Sequence, residues 1–272
     1  MKKNGLLVFL VSIWLILAVI FGIYDLDISK QIVNQNSGWA KFLQDYGMIP
    51  GLLVILSGIY IYYSAIKTNT DVWSTVKKVT FFLVSNGLIF HLFDILYEDA
   101  ASINFLTFLI ISFSINLIVF IIIHKIQQVK SETVIKYSKV VVAVALFGYV
   151  ICIQGVKYFW GRVRFRELDA AFSQFTAWYL PQGITGSDSF PSGHAAMGWM
   201  LLPLLILLRE KKQGIINSAL VIIVMWGIVL ALSRVVVGAH YASDVLFGSF
   251  FIIITFLLFN NYKSKKIPDS SR

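Results

Sequence analysis

Residues 215–259 read IINSALVIIVMWGIVLALSRVVVGAHYASDVLFGSFFIIITFLLF, two apolar runs, 215–237 and 242–259, joined by a short polar turn. Each run is of the length that crosses a bilayer as a helix, about twenty residues. Ser233, Arg234, His240 and Asp244 stand at the mouths of these runs. Ionisable groups are costly there, so they are functional candidates by default. His240 and Asp244 are four residues apart and share a face if a helix runs through them. A neutral imidazole held by a carboxylate is a nucleophile or a base awaiting an electrophile.

The same pattern extends over the whole chain. Of its 272 residues 58% are hydrophobic and only 14% charged, and the mean hydropathy is +0.78. A soluble domain carries roughly a quarter of its residues as charges. Apolar runs recur at 5–24, 48–66, 79–97, 103–123, 138–156, 195–208, 215–237 and 242–259. The expected fold is therefore all-α, a polytopic membrane bundle of about eight transmembrane helices in one integral membrane domain, 1–272. The 195–208 run is short and holds Pro203, so it begins as early as Ser192 or kinks. Lys2 and Lys3 before the first run suggest a signal peptide, but the run is long and lacks a small-residue cleavage site, which favours an anchor.

A net charge of +9 raises the idea of a nucleic-acid partner, and its distribution removes it. With Lys2 and Lys3 inside, eight spans put sixteen of the 23 Lys and Arg on the cytoplasmic side. That satisfies the positive-inside rule. Both termini, with a tail at 261–272, are then cytoplasmic. Five of the seven outer cations, Lys157, Arg162, Arg164, Arg166 and Arg234, fall in two segments. The single Cys152 lies within a run and forms no intrachain disulfide.

No repeat, low-complexity tract or linker divides the chain. The stretch 25–47 is amphipathic and reads equally as an interfacial helix or as an ordered loop burying its apolar side chains. The loop 158–191 is long, and long loops in compact proteins are usually functional. Lys157 and Arg164 frame Lys-Tyr-Phe-Trp-Gly-Arg-Val-Arg at its start. Arginine offers phosphate a planar fork and lysine a point charge, although alone such cations snorkel to headgroups. Pro191, Ser192, Gly193 and His194 close the loop as a helix start whose N–H groups suit an anion; an ordinary turn and cap explains the first three as well. Arg234, His240 and Asp244 also read as a polar cluster joining two spans. The eight-span topology places all three segments at one membrane face, a convergence the motifs themselves do not encode.

Lys157-x6-Arg164, Pro191-Ser192-Gly193-His194 and Ser233-Arg234-x5-His240-x3-Asp244 together resemble the three signatures of the type 2 phosphatidic acid phosphatase (PAP2) superfamily of membrane lipid phosphatases. The resemblance covers the second half, 138–259, and departs where Phe165 replaces the usual proline after the motif arginine. It implies a six-helix core within the bundle, with catalytic spans at 138–260 and two added spans within 1–137. It further implies that His240 attacks phosphorus to give a phosphohistidine, with Asp244 orienting its ring. His194 protonates the leaving oxygen and later activates water. Lys157, Arg164, Arg234, Ser192 and the Gly193 N–H hold the phosphoryl oxygens, with Arg162 as an accessory. No cofactor or metal is expected, and no carboxylate cluster suggests one.

The resulting expectation is a lipid phosphatase of a plasma membrane, acting at the extracytoplasmic face on a lipid phosphate partner. Undecaprenyl diphosphate, with a slight preference, phosphatidylglycerophosphate and phosphatidic acid all fit. A phosphotransferase with the same site, or a non-catalytic transporter or scaffold, are the alternatives; intact His194, His240 and Asp244 weigh against the last. His91, Asp94 and Glu98 line one face of the third span and read mainly as a contact between helices.

Overall fold

Twenty-residue apolar runs cannot leave peptide groups unpaired in lipid, and they become helices. The computed structural model describes residues 3–65, 72–96, 105–125 and 131–261. The order is α1 (Lys3–Ile32), α2 (Gly38–Tyr46), α3 (Ile49–Ala65), α4 (Val72–Leu96), α5 (Phe105–Lys125) and α6 (Glu132–Ala143). The last runs on through a π-helical stretch, Val144–Gly155, into α7 (Val156–Trp160). Then come α8 (Gly193–Trp199), α9 (Leu204–Leu207), α10 (Gln213–Val236) and α11 (Ala242–Asn261). Among the described residues there is no strand.

Six helices here are long and apolar enough to cross a membrane: Leu7–Ile32, Gly38–Ala65, Val72–Leu96, Glu132–Glu167, Gln213–Val236 and Ala242–Asn261. The protein is a multi-pass membrane protein, and Val8, Leu15, Ile110, Val221 and Ile222 among others point outward from the bundle. The remaining two expected spans are shorter apolar stretches, Leu109–Ile122 and Gly193–Leu207. In the second, 3₁₀-type bonds such as Met200 N–H to the Met197 carbonyl and Leu202 N–H to Trp199 replace the regular ladder just before Pro203.

The stretch 25–47 is helical at both ends. α1 does not stop near Tyr24 but continues to Ile32, carrying Asp25 and Ser29 into buried positions. The rest forms α2, which buries Ala40 and Leu43 and leaves Trp39 and Phe42 exposed.

α8 packs against α10, α11 and α3, α1 lies on α11, and α3 lies on α6. The core runs through Leu52, Ile55, Tyr137, Val141, Met197, Met200 and Ile252. Gly248 lets α11 approach the start of α8 closely, since a Cβ there would stand 2.3 Å from the Ser192 carbonyl oxygen. α4 and α5 form a peripheral pair tied to α3 by buried Asn116, which accepts from Tyr60 at 2.7 Å and Ser85 at 3.0 Å and donates to the Phe82 carbonyl. His91 and Asp94 are exposed on α4, and Glu98, with the tail from residue 262, lies outside the described residues.

Candidate active site

The long loop after α7 returns to the bundle at Ser189, and three distant segments meet there. Ser189 N–H donates to the Arg162 carbonyl at 3.0 Å, Ser192 N–H to the Asp244 carbonyl at 2.9 Å, and Arg166 N–H to the Gly238 carbonyl at 3.0 Å. Gly238 turns the chain between Arg234 and His240 with φ at +68°, a left-handed conformation that suits glycine. Phe165, in the place of the familiar proline, opens a 3₁₀ turn and packs on Phe172 and Tyr241.

His240 is 3% exposed. Its Nδ1 lies 2.6 Å from the Ser189 carbonyl oxygen. A carbonyl only accepts, so Nδ1 carries the proton and Nε2 keeps its lone pair in the neutral ring. Asp244 Oδ2 is 3.7 Å from the same Nδ1, an electrostatic neighbour rather than the direct hydrogen-bond partner. Burial pulls the imidazole down to about 4; Asp244 opposes this shift and Lys157 adds to it. At neutral pH the ring is therefore uncharged.

Asp244 is held on every side. Oδ2 accepts from the Ser189 hydroxyl at 2.5 Å and the Tyr241 N–H at 2.8 Å, and Oδ1 accepts from Arg162 Nη1 at 2.6 Å. Arg162, expected as an accessory phosphate ligand, is instead 0% exposed and committed to protein. Nε donates to the Thr176 carbonyl at 2.9 Å, Nη1 to Ser243 and Asp244, and Nη2 to Asp25 at 3.0 Å. Its guanidinium lies over the Tyr241 ring, 4.0 Å from the centroid. It works beneath the site rather than in it.

The other expected residues lie on the same three segments. Ser192 caps α8, accepting from Ala195 N–H at 3.3 Å, and Gly193 begins the helix. His194 follows, partly buried, with Nε2 2.9 Å from the Gln44 carbonyl of α2. By the same carbonyl argument Nε2 is the donor, and Nδ1 is the free nitrogen of the neutral ring. The positive charges of Arg234 and Lys157 both act on His194.

Arg234 is 4% exposed, yet its Nε and Nη1 have no hydrogen-bond partner. A buried charge without partners is expensive, so this guanidinium marks a place for an anion. Lys157 and Arg164 meet at Asp188, Lys157 Nζ standing 3.4 Å from Oδ2 while Arg164 pairs with Oδ1. Partial burial pushes the Asp188 carboxyl up, but those two cations outweigh it and hold the group below the usual range. Its oxygens stand where two cations converge, as phosphate oxygens would.

Sequence reasoning missed Asp25, Gln44, Asp188 and Ser189. Gln44 and Ser189 act on the imidazoles through backbone carbonyls, which no side-chain pattern reports. Asp25 had a signal, a carboxylate at the end of an apolar run, and Asp188 and Ser189 directly precede Phe190 and Pro191.

The family model of the PAP2 superfamily matches residues 136–268. No curated protein matches the chain, and no solved structure does. The matched region contains the three converging segments, while Asp25 and Gln44 come from outside it.

Proposed function

From the premise that this chain belongs to the PAP2 superfamily through residues 136–268, which supports a phosphatase-type activity, we propose that it hydrolyses the phosphate or diphosphate of a membrane lipid. His240 Nε2 attacks phosphorus, and the bond to the lipid oxygen breaks as a phosphohistidine forms. His194, which takes up a proton at Nδ1 together with the anionic substrate, delivers that proton to the leaving oxygen. It then takes a proton from the water that cleaves the phosphorus–nitrogen bond, releasing phosphate and restoring His240. Arg234, Lys157, Arg164, Ser192 and the Gly193 N–H hold the phosphoryl oxygens and offset charge as it builds. Asp244 stabilises the positive charge that His240 acquires.

One observation carries this reading: a buried arginine with two unpartnered donors beside an imidazole whose Nε2 is unprotonated. A lipid substrate is favoured by a cavity of about 430 Å³ between α1, α10 and α11, walled by apolar side chains such as Trp14, Leu17, Ile228 and Leu246 and reaching Ala242, two residues from His240. It offers room for a hydrocarbon tail beside the phosphate site. Charge distribution favours a site on the extracytoplasmic face of a plasma membrane, with both termini inside. α4 and α5, attached at the periphery, are the two spans added to a six-helix core.

The test is phosphate release by detergent-solubilised protein from a polyprenyl diphosphate, phosphatidic acid and phosphatidylglycerophosphate, with and without chelator. His240→Ala is expected to abolish release with folding intact, as loss of a covalent nucleophile costs several orders of magnitude. Near-normal release by that variant removes the mechanism.

A further inference from the structure

Asp25 stands on α1, more than a hundred residues before the matched region, yet its side chain is fully buried under the candidate site. Its Oδ1 accepts from the Ser243 N–H at 2.9 Å. Its Oδ2 accepts from the Ser243 hydroxyl and from Arg162 Nη2, the latter at 3.0 Å. Arg162 Nη1 then donates to Ser243 Oγ at 2.9 Å and to Asp244 Oδ1 at 2.6 Å. Two carboxylates thus share one guanidinium, and all three side chains are 0% exposed.

The arrangement has a geometric and an electrostatic consequence. Ser243 and Asp244 belong to the first turn of α11, so Asp25 supplies from another helix the N-terminal cap that α11 needs. That fixes the direction in which Asp244 leaves the helix. Arg162 alone on Asp244 would cancel the charge of the carboxylate nearest His240. With Asp25 on the other fork of the guanidinium, the trio retains one net negative charge in a region where low permittivity makes it strongly felt.

We propose, resting on the phosphatase reading above, that Asp25 is a positioning residue for phosphoryl transfer. α1 delivers a second carboxylate that locks Arg162 and the first turn of α11, so that Asp244 keeps both its place and its charge beside His240. A purely structural role, in which the buried ion pair with Arg162 and the Ser243 hydrogen bonds merely fasten α1 to the bundle, makes a different prediction. It would lower the amount of folded protein without changing the turnover of each folded molecule.

The experiment compares wild type, Asp25→Asn and Asp25→Glu as full-length monodisperse protein in detergent. Steady-state phosphate release from a polyprenyl diphosphate or phosphatidic acid is measured per folded molecule. The Asn variant keeps the shape and loses the charge, and its kcat is expected to fall at least tenfold with KM within about twofold, because the phosphate ligands are untouched. The Glu variant restores the charge and is expected to recover most of that loss. A kcat per folded molecule within twofold of wild type for Asp25→Asn overturns the proposal. So does a change confined to KM, or a Glu variant no better than Asn. Wild-type protein that releases no phosphate from any of the three lipid classes overturns the phosphatase reading itself, and this role with it.

Discussion

Arg234 gives the sharpest test, because function and stability move in opposite directions when it is replaced. Its guanidinium is 4% exposed, with Nε and Nη1 lacking partners. Substituting Met keeps much of the stem volume and removes the uncompensated charge. Relief of unpaired buried donors of this kind is worth on the order of 1–3 kcal/mol, so Arg234→Met is expected to unfold several degrees above wild type. Catalysis moves the other way. Two charge-assisted hydrogen bonds to a phosphoryl oxygen contribute about 1.5–3 kcal/mol each, and their loss lowers kcat/KM by roughly 10² to 10⁴. The assay pairs thermal unfolding in one detergent with phosphate release in the same detergent. Inorganic phosphate should also raise the unfolding temperature of wild type more than that of the variant, since only a ligand that binds the folded state shifts it. A variant that is less stable and fully active would show that Arg234 serves packing and that the anion site lies elsewhere.

Asp188 pairs with Lys157 and Arg164, the residues proposed to hold phosphate, and its side chain is 46% exposed. Half-exposed ion pairs are worth on the order of 1 kcal/mol, so Asp188→Asn is expected to lower the inhibition constant of inorganic phosphate about fivefold; an unchanged or raised constant would show that this carboxylate does not occupy the anion site. His240, held down to about 4 by burial, stays neutral from pH 5 to 8. Its folded value lies below the ordinary imidazole value of about 6.5. Its contribution to stability is therefore complete above about pH 6.5 and is lost as pH falls towards 4. Nitrogen-15 histidine spectra in lipid nanodiscs, assigned with a His240→Gln variant, check this, and a titration near 6.5 refutes it.

The all-helical membrane architecture was legible because hydrophobic length is a local property. The reading went wrong where it depended on an end point. The first apolar run ends at Tyr24, whereas the helix continues to Ile32 and takes Asp25 under the site. The run 195–208, by contrast, carries its own signal in Pro203: the helix starts behind the Ser192 cap and the backbone breaks just before that proline, as its short length and proline imply. Within the site, residue types and spacing brought His194, Arg234, His240 and Asp244 to notice, since each is a charged or titratable group at the mouth of an apolar run. Arg162 shows the limit of that logic. It has the chemistry of a phosphate ligand, and only its burial between Asp25 and Asp244 assigns it to support instead.

By itself, the amino-acid order determined that the chain is a bundle of membrane helices with cations and imidazoles gathered near three helix ends, because side-chain polarity and segment length act locally. The tertiary structure alone decided which groups face one another. Asp25 meets Ser243 across 218 positions of chain, and the imidazole of His240 is oriented by the Ser189 carbonyl. Such partners are chosen by packing, in which any backbone carbonyl or distant carboxylate can fill the place that geometry leaves open.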